Sequence, residues 1–401
     1  MAAPEPNTDS KTSILNKLKI KLPAQVKPQH IDPNPKLTAW KCYKDELTAC
    51  GFIYSNTVAL AHGCYVSRMW PGEPLWILVL GPPSSGKTLP LMLAETTVVP
   101  ETGESNITLV SSITPAALIT GFGGHESDKS LLAHVNNHLV IMKDYGTCLA
   151  LGYEQTMQVL AILRESFDGQ VGKKFAHIDR SYKIHFNMIC AATAAADTNA
   201  ATCQQLGERF IRYRPESIIV PYPAKPDVSP KAKEITKAFL ENVYIPNEAP
   251  VYPTDKLFKA ACVAAKLRTH TIRDHRAHEI EEVPGFESPY RMVHQLEKTY
   301  GGVLVVSGDK ALAEKLALRL ALDSIPPRRR GLFNLIKEKP GINTVEITKA
   351  MSLGPTVVRN VLDDCFALGL LVREQPGFPK QYQYHLEESF EKELDEAFGV
   401  L

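Results

Sequence analysis

The sequence predicts an α/β core built on a mostly parallel sheet, then a helical lid subdomain, then a small C-terminal domain of helices and strands. Three observations carry this. Short continuous apolar runs, LWILVL, NITLVSS, HLVIMKD, HFNMICAAT and SIIVPYP, alternate with helical stretches between residues 70 and 223. A run that is apolar at every position needs cover on both faces, and helices flanking a parallel sheet supply it. After Pro226 those runs stop and helical patterns dominate up to the Pro326–Pro327 pair. Beyond that pair the pattern reads helix, helix, helix and two short strands.

Residues 1–36, with four prolines between Pro23 and Pro35, read as a flexible tail. Residues 37–69 read as an N-terminal helical segment through TVALAHGCYV, ended by Pro71, Gly72 and Pro74. The α/β core spans 70–225, with helices over Thr88–Thr96, Pro115–Ile119 and Glu154–Phe167. The lid spans 226–325 and the C-terminal domain 326–401.

Composition narrows the functional classes. Of 401 residues, 22% are charged and 44% hydrophobic, enough to bury about two to three cores. The net charge of +1 excludes a globally basic nucleic-acid coat and an acidic tail protein, but a local basic groove remains possible in principle. Eight cysteines are scattered with no C-x-x-C pair, so reduced, mostly buried thiols are expected and a zinc site is not. No apolar run reaches the ~20 residues of a membrane helix, and MAAPEPNTDSKTS lacks a secretory apolar stretch. A soluble, cytoplasmic protein with no membrane partner is expected.

The run WILVL leads directly into Gly81, Pro82, Pro83, Ser84, Ser85, Gly86, Lys87 and Thr88, a G-x-x-x-x-G-K-T loop between a strand and a helix. Backbone N–H groups of such a loop cradle phosphates, and the following helix turns its positive end toward them. Lys87 would neutralise the β and γ oxygens and Thr88 would hold Mg²⁺. Asp144, ending the run LVIMKD, is the acid expected to reach that Mg²⁺. Its neighbour is Tyr145, so no second acid stands there, and Glu165 and Asp168 are weaker candidates for a base. Thr193 ends another apolar strand, where it can sense the γ-phosphate. Arg209 in LGERF could stabilise charge on a neighbouring copy's γ-phosphate, and Arg291 in SPYRMVHQL begins a lid helix.

These pieces, in this order, resemble the AAA+ ATPases of the branch that contains minichromosome-maintenance helicases and related replication proteins of phages and mobile elements. The resemblance runs over about 70–385. It matches Gly81–Thr88 to Walker A, Asp144 to Walker B, Thr193 to sensor 1, Arg209 to an arginine finger and Arg291 to a sensor-2 helix. It implies ATP and Mg²⁺ as cofactors, a homo-oligomer expected to be a hexameric ring, DNA in its channel, and replication proteins as further partners. For a phage-encoded chain the compartment is the host cytoplasm. Two departures stand out: the acid pair is reduced to Lys143-Asp144, and the branch's N-terminal DNA-binding domain is replaced by a short tail and helices.

Two segments could touch nucleic acid. In DGQVGKKFAHIDRSYKIHF, Gly169 and Gly172 bracket an expected turn with Lys173 and Lys174 at its tip, where the branch has a hairpin that tracks phosphates. The C-terminal segment resembles a winged helix-turn-helix whose third helix would present Thr356, Arg359 and Asn360. Asp363 and Asp364 on that helix equally suit protein docking. An ATP-driven DNA helicase is the first expectation. A helicase loader or replication initiator, and a nucleotide-switched DNA-binding regulator, are the alternatives.

Overall fold

Five parallel strands form the centre of the computed structural model, which describes residues 34–53, 55–97, 105–120, 130–174, 179–197, 208–216, 230–274, 279–375 and 381–399. In chain order they are β1 (Trp76–Leu80), β2 (Ile107–Val110) and β3 (Leu139–Met142), then, after a hairpin of β4 (Gln170–Lys174) and β5 (Asp179–Lys183), β6 (Asn187–Ala192) and β7 (Ile211–Tyr213). The order across the sheet is β2-β3-β6-β1-β7. β1 and β3 are therefore not neighbours; β6 lies between them, in register Trp76 with Met188 and Leu139 with Asn187.

Every residue of β1, β3 and β6 is buried. Alternation assigns Ile77 and Val79 to a core shared with the helical parts of the chain, and Trp76, Leu78 and Leu80 to a second core. The second core holds α3 (Gly146–Leu149) and α4 (Tyr153–Phe167), with Phe167 edge-on to Trp76 at 5.2 Å.

On the other face lie α1 (Pro35–Ala49) and α2 (Ser55–Val66). Asn34 caps α1 by accepting from the Leu37 N–H at 3.1 Å. In α2 every residue from Thr57 to Val66 is buried, as an apolar helix without a polar face must be. It crosses α7 (Tyr290–Ser307) where Gly63 meets Gly302; a Cβ on Gly302 would lie 2.3 Å from the Gly63 carbonyl oxygen. The lid also holds α5 (Pro230–Glu241), α6 (Thr254–Arg268), the short pair β8 (Ile272–Arg273) and β9 (Ile280–Glu282), and α8 (Lys310–Ser324).

The C-terminal domain runs α9 (Pro327–Glu338), β10 (Ile342–Asn343), α10 (Thr344–Met351), α11 (Pro355–Ala367), β11 (Leu371–Glu374), β12 (Gln383–Leu386) and α12 (Glu388–Phe398). Its three strands are antiparallel in the order β10-β12-β11. Asn343 and Glu346 form a reciprocal capping box at the start of α10. No described helix is long and apolar enough to cross a membrane. Cys64, Cys148, Cys190 and Cys365 are buried free thiols, whereas Cys42 is exposed.

Several expectations change. The N-terminal segment is two helices, not one, separated at Cys50 to Ile53. The expected helix after Lys87 is a 3-10 helix, Leu89–Thr96, with Pro90 in its first turn. The expected helix at 115–119 is a π-type turn, Ala116–Thr120. The edge strand is Ile211–Tyr213, inside the segment read only for Arg209; the expected strand 217–223 lies outside the described residues. Gly172 does not make a turn: it pairs with Ser181 within the hairpin, whose pairing runs on to Lys174 with Asp179; residues 175–178 lie outside the described residues. β8, β9, β10 and α12 were not expected.

Candidate functional site

The loops that follow β1, β3 and β6 leave the same edge of a parallel sheet, the carboxyl edge where ligands bind in open α/β folds. β6 ties the other two loops in place. The Gly81 N–H donates to the Ala192 carbonyl at 3.2 Å, and the Tyr145 N–H donates to the Ala191 carbonyl at 2.8 Å. The 81–88 loop, Asp144 and Thr193 are thus brought together by backbone bonds, independent of their side chains.

Within the loop, Ser84 and Gly86 have φ of 59° and 74°, left-handed positions that alternate with Ser85 and Lys87. Such alternation turns successive N–H groups to one side, a concavity for anions. The Ser85 hydroxyl is buried with no hydrogen-bond partner among the described residues. Lys87 Nζ donates to the Pro82 carbonyl at 2.9 Å, so the ammonium folds over the loop it belongs to. Burial pulls the Lys87 ammonium below the usual lysine range, and the Asp144 carboxylate, close enough to be felt, partly offsets this. Asp144 uses one oxygen to accept from the Gly146 N–H at 2.9 Å. Its neighbour Tyr145 is buried against Phe210, ring centres 5.2 Å apart. An orphaned hydroxyl, a cationic side chain and a half-used carboxylate around an anion-shaped loop suit a magnesium-bound polyphosphate. Thr88 and Asp144 are the residues that would hold the metal.

Arg209 and Arg291 are elsewhere. Gln295 accepts from the Trp76 N–H at 3.0 Å and donates to the Arg209 carbonyl at 3.0 Å, which fixes both arginines beside the first residue of β1. Five strand residues, about 16 Å, separate that end from the loop. Both guanidinium groups stand over the Phe167 ring, at 5.6 and 6.0 Å. Arg209 is only 10% exposed, and its Nη2 donates to both oxygens of Asp168, at 3.0 and 3.1 Å. Burial and the nearby Arg209 charge lower the Arg291 pKa; Glu287, Glu73 and Asp168 oppose them. Arg291 therefore cannot complete the pocket of its own chain. Asp168 is a partner of Arg209 and not a base beside Lys87, a contact between residues 41 positions apart that no local pattern signals. Glu165 is exposed near the end of the same helix, α4.

Lys173 and Lys174 occupy the last two register positions of β4, opposite Arg180 and Asp179. Arg359 and Thr356 are exposed on α11 and Asn360 is half-buried; the backbone carbonyl of Asn360 accepts from Arg273 at 3.0 Å, and Arg273 and Thr271 both bind Asp364. One face of this helix is thus already occupied by the lid.

Sequence reasoning missed Gln295, the amide that joins β1 to the Arg209 segment; it stands four residues after Arg291 on the same helix face. No protein-family model matches the chain, and no curated protein matches it either.

Proposed function

We propose that the chain is an ATP-dependent, ring-forming DNA helicase or translocase of the AAA+ class, working in replication of a phage or mobile element. The observation that carries this reading is the split between the two ends of β1: phosphate-cradling groups at one end, a pair of arginines at the other. A single chain cannot bring them together, whereas a second copy placed edge to edge can.

In this reading the 81–88 loop binds the triphosphate through its N–H groups, and Lys87 leaves the Pro82 carbonyl to neutralise the terminal oxygens. Thr88 and Asp144 hold Mg²⁺, which when bound would neutralise charge across the β and γ oxygens. Thr193, held beside the loop through β6, reports on the terminal phosphate. Arg209 of one copy stabilises the charge that develops on the phosphoryl group in the next. Arg291, at the same end, adds a second cation. The β4–β5 hairpin, with Lys173 and Lys174 next to its tip, contacts the backbone of one DNA strand. The C-terminal domain, read as a winged helix, contributes Arg359 to DNA.

One observation favours the second reading, a slow-turnover helicase loader or initiator. The position after Asp144 holds a buried tyrosine that packs the core, so no carboxylate stands there to orient water. A single measurement separates the readings: strand separation on forked DNA with ATP, wild type against Lys87→Ala. Unwinding that needs Lys87 supports the motor. ATP turnover without unwinding favours the loader, and no turnover in either protein defeats both.

A further inference from the structure

A cavity of about 630 Å³ lies where the core, the lid and the C-terminal domain meet, within the roughly 300–1,000 Å³ range of small-ligand sites. Four arginines line it, Arg212, Arg273, Arg328 and Arg329, against two acidic residues, Asp197 and Asp364. No residue of the 81–88 loop lines it.

Two of the arginines, Arg212 and Arg329, each carry one nitrogen with no hydrogen bond among the described residues. Arg212, on β7, is buried; Nη2 donates to Glu208 at 2.7 Å and Nη1 lies 3.7 Å from Asp197, but Nε has no hydrogen-bond partner among the described residues. Arg329 is also buried; Nη1 donates to the Leu267 and Thr269 carbonyls, while Nη2 has no hydrogen-bond partner there and lies 3.5 Å from Asp364. Arg328 is exposed and makes no ion pair among the described residues. Buried donors left without acceptors are rare in folded chains. Burial and the Arg329 charge push the neighbouring His270 down to about 4, so the imidazole is neutral and adds no repulsion toward a cation or an anion at neutral pH.

We propose that this cavity is a second phosphate-binding site, separate from the 81–88 loop, that takes a small polyanion of the pyrophosphate or nucleoside-phosphate class. Guanidinium groups match phosphate oxygens two at a time, and four lining arginines against two acidic residues leave a surplus of positive charge for such a ligand. Arg273 and Arg329 are also the groups that hold Asp364 of α11. A phosphate in the cavity competes with Asp364 for them, so occupancy reports to the C-terminal domain.

The test uses the full chain carrying Lys87→Ala, which removes the loop lysine, with and without Arg328→Glu. Pyrophosphate is titrated calorimetrically. One site per chain is expected, weakened at least tenfold by Arg328→Glu, with the melting temperature of the unliganded protein unchanged because Arg328 holds nothing in place. No pyrophosphate binding in the Lys87→Ala chain, or equal affinity with and without Arg328→Glu, overturns the proposal. A parallel titration with single-stranded DNA distinguishes the source of phosphate: a loss confined to DNA also overturns it, whereas a loss confined to pyrophosphate supports it. Failure of the loop reading shows separately, as ATP binding that Lys87→Ala leaves unchanged.

Discussion

The two ends of β1 hold cations in opposite states. At the carboxyl end Lys87 rests on a carbonyl of its own loop, the Ser85 hydroxyl is unpartnered among the described residues, and Asp144 uses one oxygen for a turn. At the amino end Arg209 is gripped by both oxygens of Asp168, and Arg291 stands 3.7 Å from Glu287. The first end is built to accept charge; the second has its charge balanced and its geometry set. A cation already held in place would lose little freedom on meeting a phosphate, as the proposed action across a subunit boundary needs.

The strongest way to break this comparison is to disable each end separately. Lys87→Ala should reduce ATP turnover by about a thousandfold or more, measured as phosphate release. Arg209→Ala should cost roughly a hundredfold or more, with nucleotide binding kept. Mixing the two inactive proteins should restore part of the activity, since some boundaries then join an intact loop to an intact arginine. A mixture that stays silent breaks the division of labour between the ends. Arg291→Ala should produce a smaller loss, about tenfold, by the same assay.

Two milder perturbations sharpen it. Asp168→Asn releases Arg209 from a carboxylate that is 54% exposed, so stability should move by no more than about 1 kcal/mol in chemical unfolding. Turnover should change less than in Arg209→Ala. The amino end should also be acid-sensitive. Burial pushes His185 down to about 4, with the Lys298 charge adding to it, so the unfolded chain binds a proton that the folded chain refuses between pH 6.5 and about 4. Stability from this group is complete above pH 6.5 and falls as pH drops through that window. His185→Gln should flatten the slope by at most about 1.4 kcal/mol per pH unit.

Much of this molecule could be read from its residues. β1, β3 and β6 announce themselves because both of their faces are buried, and the Gly81–Thr88 loop because its glycines and lysine have fixed spacing. What escaped the reading depends on contacts through space or on short range. β7 is three residues long with Arg212 at its centre, too brief and too polar to show a strand pattern. The 3-10 helix after Thr88 is hidden because the apolar spacing of Leu89–Thr96 reads the same for 3-10 and α winding over so short a stretch. Gly172 reads as a turn residue but pairs in a strand, because hairpin register is set by both strands together. Gln295 has an ordinary place on a helix and acquires its role only when β1 and the Arg209 segment arrive beside it.

The crossing of Gly63 and Gly302 carries a mechanical consequence. With backbone against backbone there is no side chain to ratchet past, and any larger residue at position 302 would force the two rods apart. The two helices are thereby seated as one slab against the sheet. A bulky substitution at this joint should loosen both of them together, while the 81–88 loop keeps its backbone tie to β6.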